Sequence, residues 1–240
     1  MLFGSKILFL HAPRTAGNSI TRFLIDNVPE RLTLLVPSSV PDRSIAVPRV
    51  VRAKSVLKSF LMGFPGATRV DLVAGARHER LTQAAAALAR FNRRLEEFEC
   101  IISVMRNPYD LEVSRYHFLR KGYLGVKNLS VGLAQDIALE GDFTRFAESA
   151  PYFGRLPSRF EDWFELNGRI PDNLFPLRFE TLEPELERIV GQFYRIGRGL
   201  RRLGASRHEH YRHYLTPAAE AAIHGKFRWL FDRGFYSREV

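Results

Sequence analysis

The 240-residue chain has little cysteine and no long hydrophobic run. Cys100 is the single cysteine, so no intramolecular disulfide can form and cysteine cannot assemble a metal site. It stands in the apolar run 100–104, which predicts a buried structural thiol rather than a nucleophile. No apolar stretch reaches the about 18 residues that cross a membrane, and the N-terminus lacks the pattern of a secretory signal. These absences predict a cytoplasmic protein without a membrane span.

Positive charge is what the chain has in excess. Its formal net charge is +10 and its pI is about 10.1, but the 36 Lys and Arg residues are scattered among 26 acidic residues. This distribution favours a basic cleft for an anionic partner over a disordered nucleic-acid-binding arm. The length fits one elaborated domain with a sizeable core.

Apolar runs that suit buried strands alternate with segments of helical period, and this order predicts an α/β fold with a central parallel β-sheet flanked by helices. Predicted strands cover 6–10, 70–74, 100–105 and 174–179. Predicted helices cover 18–26 and 81–98, begin just after Arg106 and at Thr181, and run from Thr216-Pro217 toward Asp232. Asn167-Gly168 predicts a tight hairpin turn. Residues 37–69 show little sustained period, and residues 122–160 are predicted to be irregular or weakly helical.

The first predicted strand leads into a compact loop of small and hydroxyl residues, 11–19. Ala16 and Gly17 would let an oxyanion approach the main chain, and the following helix points its N–H groups and positive dipole end toward it. Further donors come from Arg14, Thr15, Asn18 and Ser19. The loop therefore predicts an anion-binding cradle, with an ordinary strand-to-helix turn and a solvated Arg14 as the alternative.

A second motif of the same design follows the strand at 100–105. There Arg106 precedes Asn107, a good helix N-cap, and Pro108, a good first helical residue, with Ser114 two turns further on. Ligands of parallel α/β sheets bind at the carboxyl ends of the strands. Two cradles at two strand ends predict one ligand with two separated anionic groups.

With both motifs in order, the sequence resembles the PAPS-dependent sulfotransferases, in particular the carbohydrate (heparan-sulfate-type) branch. The first loop of that branch reads approximately His-x-Pro-Lys-Thr-Ala/Gly-Gly-Thr-Ser, against residues 11–19 here. Further matches lie at 75–78, 177–182 and 211–216. The resemblance implies a P-loop-like fold in a single domain over 1–240, with a variable excursion at about 36–69 and a variable acceptor-side region at about 121–157.

The resemblance also implies the ligands and the roles of the site residues. PAPS would be the sulfuryl donor and PAP the product, no metal would be needed, and the acceptor would be a hydroxyl group on a carbohydrate. The first loop would hold the 5′-phosphosulfate, and Arg106 and Ser114 would hold the 3′-phosphate. We also expect the loop that contains Arg207 to lie near the nucleotide, with Arg207 approaching a phosphate and Tyr211 or Tyr214 contributing packing. The cofactor-binding residues are then Arg14, Thr15, Ala16, Gly17, Asn18, Ser19, Arg106, Ser114, Arg207 and Tyr211. No nucleic-acid partner is expected, and the oligomeric state stays open.

Three positions depart from the family pattern: Arg14 stands for the usual Lys, Asn18 for Thr, and Leu111 for a common Arg. Arg14 keeps the positive charge and can bind phosphate or sulfonate oxygens through bidentate hydrogen bonds. Its pKa above about 12 makes it a poor proton donor. We expect Arg14 to act in catalysis by stabilising charge.

His78 is the candidate catalytic base, because the resembling branch places a histidine at the end of this strand and a neutral imidazole can take a hydroxyl proton. The alternative is a surface or capping histidine, and Glu79 is a weaker substitute base. For His11 the choice is between fixing the loop and transferring a proton. His208, His210 and His213 are closely spaced, but Glu209 alone does not complete a metal set.

Two other functions stay open. A P-loop kinase or nucleotide hydrolase shares the strand–loop–helix design, although the loop has no Gly-x-x-x-x-Gly-Lys-Ser/Thr pattern. A non-enzymatic basic module that binds nucleic acid or acidic glycan would account for the net charge.

Overall fold

The computed structural model describes residues 1–36, 70–76, 78–121, 132–152, 159–203 and 208–238. The excursion expected at 36–69 lies outside these residues apart from Val36, and the acceptor-side region at 121–157 is described in part. The chain divides into two compact units. The first comprises Met1–Met105 and Trp163–Leu203, and the second comprises Arg106–Asp162 and Gly204–Val240.

The first unit is built on a six-stranded, mostly parallel sheet. Its strands are β1 (Leu2–Phe3), β2 (Ile7–Leu10), β3 (Leu32–Val36), β4 (Val70–Ala74), β5 (Cys100–Met105) and β6 (Leu174–Arg178). They are ordered β4-β3-β1-β2-β5-β6. The pairs β3–β4, β2–β5 and β5–β6 are parallel. This architecture, with its helices, confirms the predicted α/β fold and four predicted strands.

Two strands were not predicted. β1 has two residues and pairs antiparallel with both β2 and β3, so the sheet is not wholly parallel as expected. A two-residue strand has no periodicity to detect, whereas the apolar run Leu32–Val36 was a usable signal for β3. Both pair through backbone hydrogen bonds, which are independent of side-chain pattern.

Both faces of the sheet are covered, as the continuous apolar runs of β2 and β5 require. On one face, alternate residues such as Phe9 and Ile102 share a core with the helices α1 (Gly17–Asn27) and α6 (Leu182–Val190). On the other, Phe3 packs edge-on against Phe91, with ring centroids 5.1 Å apart. Cys100 is buried in β5, and burial raises the pKa of its thiol to about 12, which confirms the structural role.

The helix α2 (Leu81–Ala89) is shorter than predicted. The apolar period continues to Phe98, but the chain leaves the helix after Ala89, and Asn92 takes a left-handed conformation with φ of 53°. Leu95 and Phe98 are still buried, in and after a short 3₁₀ segment, Leu95–Glu97, and Phe91 packs against Phe3 of β1. The apolar spacing therefore predicted the inward-facing side of this segment correctly, but it overestimated the length of the helix.

The described residues of the second unit are largely helical. The helices are α3 (Pro108–Arg120), α4 (Gly132–Leu139), α5 (Phe143–Ser149), α7 (Pro217–Lys226) and α8 (Arg228–Asp232). Thr216 caps α7 by accepting a hydrogen bond from the Ala219 N–H at 3.1 Å, as predicted. The predicted final helix is broken at Phe227 into α7 and α8. In the described part of the chain, no helix has the length and apolar character needed to cross a membrane.

Candidate functional site

The loop between β2 and α1 has an unusual backbone. Arg14 and Ala16 both lie in the left-handed region, with φ of 65° and 63°, although neither is glycine. Such conformations cost about 1–3 kcal/mol each and collect at functional sites. Left-handed residues alternating with other conformations turn successive N–H groups toward one concavity, which is a common way to bind an anion. The predicted cradle thus has a backbone that suits it.

Two hydroxyl side chains of the loop are engaged within the first unit. Thr15 is buried and its hydroxyl donates to the Ala12 carbonyl at 2.9 Å, so what it offers a ligand is its backbone N–H. Ser19 is buried and its Oγ accepts from the Leu203 N–H at 2.9 Å, which leaves its own proton for donation. Asn18 is exposed and Arg14 is half-buried.

Gly17 is required by a protein contact. A Cβ placed on Gly17 would lie 1.7 Å from Nε2 of His11, because the His11 ring rests against the first residue of α1. The space beside the Gly17 Cα is therefore filled by an imidazole rather than kept open for an oxyanion. This corrects the expected reason for a glycine at this position.

His78 is bound to the same loop. Its Nδ1 lies 2.9 Å from the His11 carbonyl oxygen, and the two imidazole centroids are 4.4 Å apart. A carbonyl oxygen only accepts, so Nδ1 carries the proton and the neutral ring keeps its lone pair on Nε2. This tautomer suits a general base, and the bond argues against a merely surface histidine.

Glu79, the weaker substitute base, is buried. Burial raises the pKa of its carboxyl group above the ordinary value. A carboxyl group enclosed in this way has little access to a substrate hydroxyl, so His78 is the better placed of the two neighbours.

The second motif lies at the start of α3 in the second unit. Asn107 caps the helix, its Oδ1 accepting from the N–H groups of Tyr109 at 3.0 Å and Asp110 at 3.3 Å, as predicted. Arg106 donates to Asp110 through Nε at 2.7 Å and Nη2 at 2.6 Å. The N–H groups of the first turn are thus capped by a side chain, and the motif offers an anion a guanidinium rather than a backbone cradle.

Two more predicted residues lie in the described part of this unit. Ser114 is fully buried within α3. Tyr211 opens a 3₁₀ segment, Tyr211–Tyr214, and stacks on Tyr109 with centroids 6.0 Å apart, which brings it to the first turn of α3. Arg207 lies outside the described residues.

Sequence reasoning missed a buried charge cluster in α3. Arg115 is 4% exposed and pairs with Glu112. Lys226 from α7 donates to Glu112 at 2.6 Å and to the Ala150 carbonyl at 2.9 Å. Arg115 and Lys226 lower the pKa of Glu112 against its burial. The spacing of Glu112 and Arg115 on a helix was a usable signal, whereas Lys226 is more than a hundred residues away.

Histidines are also gathered in the second unit. His117 lies 2.9 Å from the Tyr214 hydroxyl and stacks on His208 at 5.4 Å. Burial lowers the pKa of His117, and the nearby His208 lowers it further. Within the described residues, no group of three or more metal-ligating His, Cys, Asp or Glu side chains is found.

A family model supports a relationship between part of this chain and the sulfotransferases. The family model described as "Sulfotransferase domain" matches residues 90–198, somewhat less than half of the chain. No curated protein matches. A solved sulfotransferase from Alicyclobacillus acidocaldarius is similar at 13% identity, covering 99% of this chain and 98% of that one, with a TM-score of 0.42.

The family match includes the second motif, with Arg106 and Ser114, and stops short of the first loop and His78. Sulfotransferases move a sulfuryl group, so the match supports sulfuryl transfer as the general activity and a transferase as the class of protein. On this evidence the chain is similar to the sulfotransferase family across residues 90–198.

Proposed function

We propose that this protein transfers a sulfuryl group from PAPS to a hydroxyl group of a carbohydrate and releases PAP. The observation that carries the proposal is the strained loop with Arg14 and Ala16 left-handed, to whose first residue, His11, the imidazole of His78 is hydrogen-bonded. An anion cradle and an oriented base within one loop system suit transfer from an anionic donor to a hydroxyl group.

His78 is proposed to take the proton of the acceptor hydroxyl. With Nδ1–H donated to the His11 carbonyl, Nε2 is the basic nitrogen. When Nε2 gains a proton, the ring becomes an imidazolium, and the carbonyl dipole at Nδ1 stabilises that positive charge. The same bond fixes the direction in which Nε2 points.

Arg14 and the N–H groups of the loop are proposed to bind the donor's phosphosulfate end. PAPS supplies the activated sulfuryl group, and negative charge grows on the bridging oxygen as that group departs. A guanidinium stays protonated at all relevant pH values, so Arg14 stabilises this charge without giving up a proton.

The far end of the nucleotide is assigned to Arg106 and Tyr211, and Ser114, which is fully buried within α3, is assigned to it from the resemblance alone. β2 and β5 are adjacent and parallel, so both end at the same edge of the sheet, and Arg106 is the next residue after β5. Its pairing with Asp110 through Nε and Nη2 fixes the guanidinium. Arg207 is proposed to approach a phosphate of the nucleotide.

The first experiment measures PAP binding by isothermal titration calorimetry. We expect binding by the unchanged protein and a sharp loss in Arg14→Ala. The matched control is Arg94→Ala, because Arg94 is an exposed arginine ahead of β5, near the opposite edge of the sheet. If the wild-type protein showed no PAP binding, the proposal would be overturned.

The second experiment follows transfer of labelled sulfate from PAPS to a panel of glycans. His78→Ala should lower kcat by about 10²- to 10⁴-fold while PAP affinity stays near that of the unchanged protein. His213→Ala, which removes an exposed histidine, is the control. Magnesium-dependent ATP turnover would instead indicate a P-loop kinase or nucleotide hydrolase. Binding to polyanions that weakens with salt and does not respond to PAP would indicate a non-enzymatic module that binds nucleic acid or acidic glycan.

A further inference from the structure

We infer that His11 is a positioning residue that links the anion-binding loop to the catalytic base, an inference that rests on the proposed function. Its ring sets the position of the α1 N-terminus through Gly17, and its backbone carbonyl holds His78 in the Nδ1–H tautomer. One residue therefore places both the donor site and the base.

The loop side of this link is a steric contact. The His11 ring occupies the space that any side chain at position 17 would need, with three ring atoms within 2.2 Å of the ideal Cβ. The ring also stacks against Phe9 of β2, with centroids 5.9 Å apart and planes 21° apart. The first turn of α1 is thereby held against the end of β2 by a flat side chain between them.

The base side of the link combines a hydrogen bond with a ring contact. His78 comes after β4, at the far side of the sheet order from β2, so local sequence does not fix its orientation. The 2.9 Å bond to the His11 carbonyl fixes one nitrogen, and the ring contact at 4.4 Å restricts rotation of the imidazole. A general base needs both the lone pair and its direction to be set.

A positioning role differs from proton transfer by His11 itself. His11 is buried, with its ring enclosed by Phe9, Gly17 and His78. The role assigned to the ring is its shape, which holds the His78 imidazole in place against the His11 carbonyl. A phenyl ring at position 11 should therefore fulfil the role of the imidazole, whereas a methyl group is too small to do so.

The first test compares His11→Phe with His11→Ala. We expect His11→Ala to lower kcat by about 100-fold, as small misplacements of catalytic groups do. His11→Phe should retain kcat close to that of the unchanged protein, with circular dichroism showing that both variants fold. If His11→Phe lost as much kcat as His11→Ala, the positioning role of the ring would be overturned in favour of imidazole chemistry.

The second test is a double-mutant cycle with Gly17→Ala. A methyl group at position 17 collides with the His11 ring, so Gly17→Ala should strongly weaken PAP binding when His11 is present. In the His11→Ala background the collision is gone, and the same substitution should cost far less. Equal losses of PAP affinity in both backgrounds would contradict the link through Gly17.

The third test reads the base directly by proton–nitrogen NMR of the imidazole rings. His78 should show the Nδ1–H tautomer in the unchanged protein and in His11→Phe, and a mixture of tautomers in His11→Ala. This readout needs neither donor nor acceptor. A protein that bound no PAP would overturn the proposed function, while the His78 tautomer would still decide whether His11 positions it. A His78 tautomer unaffected by His11→Ala would overturn the inference.

Discussion

The loop after β2 and the start of α3 follow neighbouring parallel strands but are built in different ways. The loop holds two left-handed non-glycine residues, and in the described part of the chain no side chain caps the N-terminus of α1. The start of α3 has an Asn107 cap and an ion pair between Arg106 and Asp110. The first motif therefore presents backbone N–H groups to an anion, and the second presents a side-chain charge.

Two buried glutamates extend the comparison. Glu79, near the first loop, has its pKa raised by burial. Glu112, in α3, has its pKa lowered by Arg115 and Lys226 despite burial. Backbone conformation and ring packing shape the first region, whereas charge pairing shapes the second. Substitutions that remove a charge should therefore lower the stability of the protein most when they are made in the second region.

The largest effect on stability is expected for Glu112→Gln. The substitution leaves Arg115 and Lys226 buried without their carboxylate, and breaking a buried pair in this way costs about 3–5 kcal/mol. Chemical denaturation at neutral pH measures the loss. Arg145→Ala, which breaks the exposed pair with Glu140, should change stability by less than about 1 kcal/mol. Equal effects would mean that the buried cluster is not what holds α3.

The next effect is on ligand binding. Arg106→Ala should weaken PAP binding by about 10- to 150-fold, because a hydrogen bond to a charged group contributes about 1.5–3 kcal/mol. Asp110→Asn keeps the guanidinium but loosens its orientation, so its loss of affinity should be smaller. Calorimetry distinguishes the two, and a larger loss in Asp110→Asn would contradict the guanidinium as the binding group.

Two helix starts should respond to substitution with opposite signs. Asn107→Ala removes the cap of α3 and should lower the free energy of unfolding by about 1 kcal/mol. Ala16→Gly relieves a left-handed residue and should raise that free energy by about 1 kcal/mol. Thermal denaturation of each variant beside the unchanged protein tests the pair. Destabilisation by Ala16→Gly would remove the evidence for strain in the loop.

The smallest effect concerns pH. Since the folded-state pKa of Glu79 is raised, stability falls as pH rises through the unfolded-state value, about 4.3, toward the folded-state value. Glu79→Gln should therefore be more stable than the unchanged protein at pH 7, and the difference should vanish below about pH 4. Denaturation curves across this range measure it. For Glu112 the sign is reversed, and its stabilising contribution disappears as pH falls.

Local signals in the sequence predicted most of the elements that flank the site. Asn107-Pro108 fixed the start of α3, and Asn167-Gly168 formed the turn, with φ of 52° and 77° beside the bridge between Leu166 and Arg169. These succeed because cap and turn chemistry acts within a few residues. The end of α2 and the strand β1 were missed because tertiary contacts decide them.

By itself, the sequence determined the α/β class, the buried thiol of Cys100, and the two strand-to-helix connections where anions are expected to bind. Tertiary structure alone decided that His11 fills the space beside Gly17, that its carbonyl sets the His78 tautomer, and that Lys226 neutralises Glu112. The division has a physical cause. Periodicity and caps act over a few residues, whereas ring contacts, tautomers and buried ion pairs depend on groups that folding brings together from distant parts of the chain.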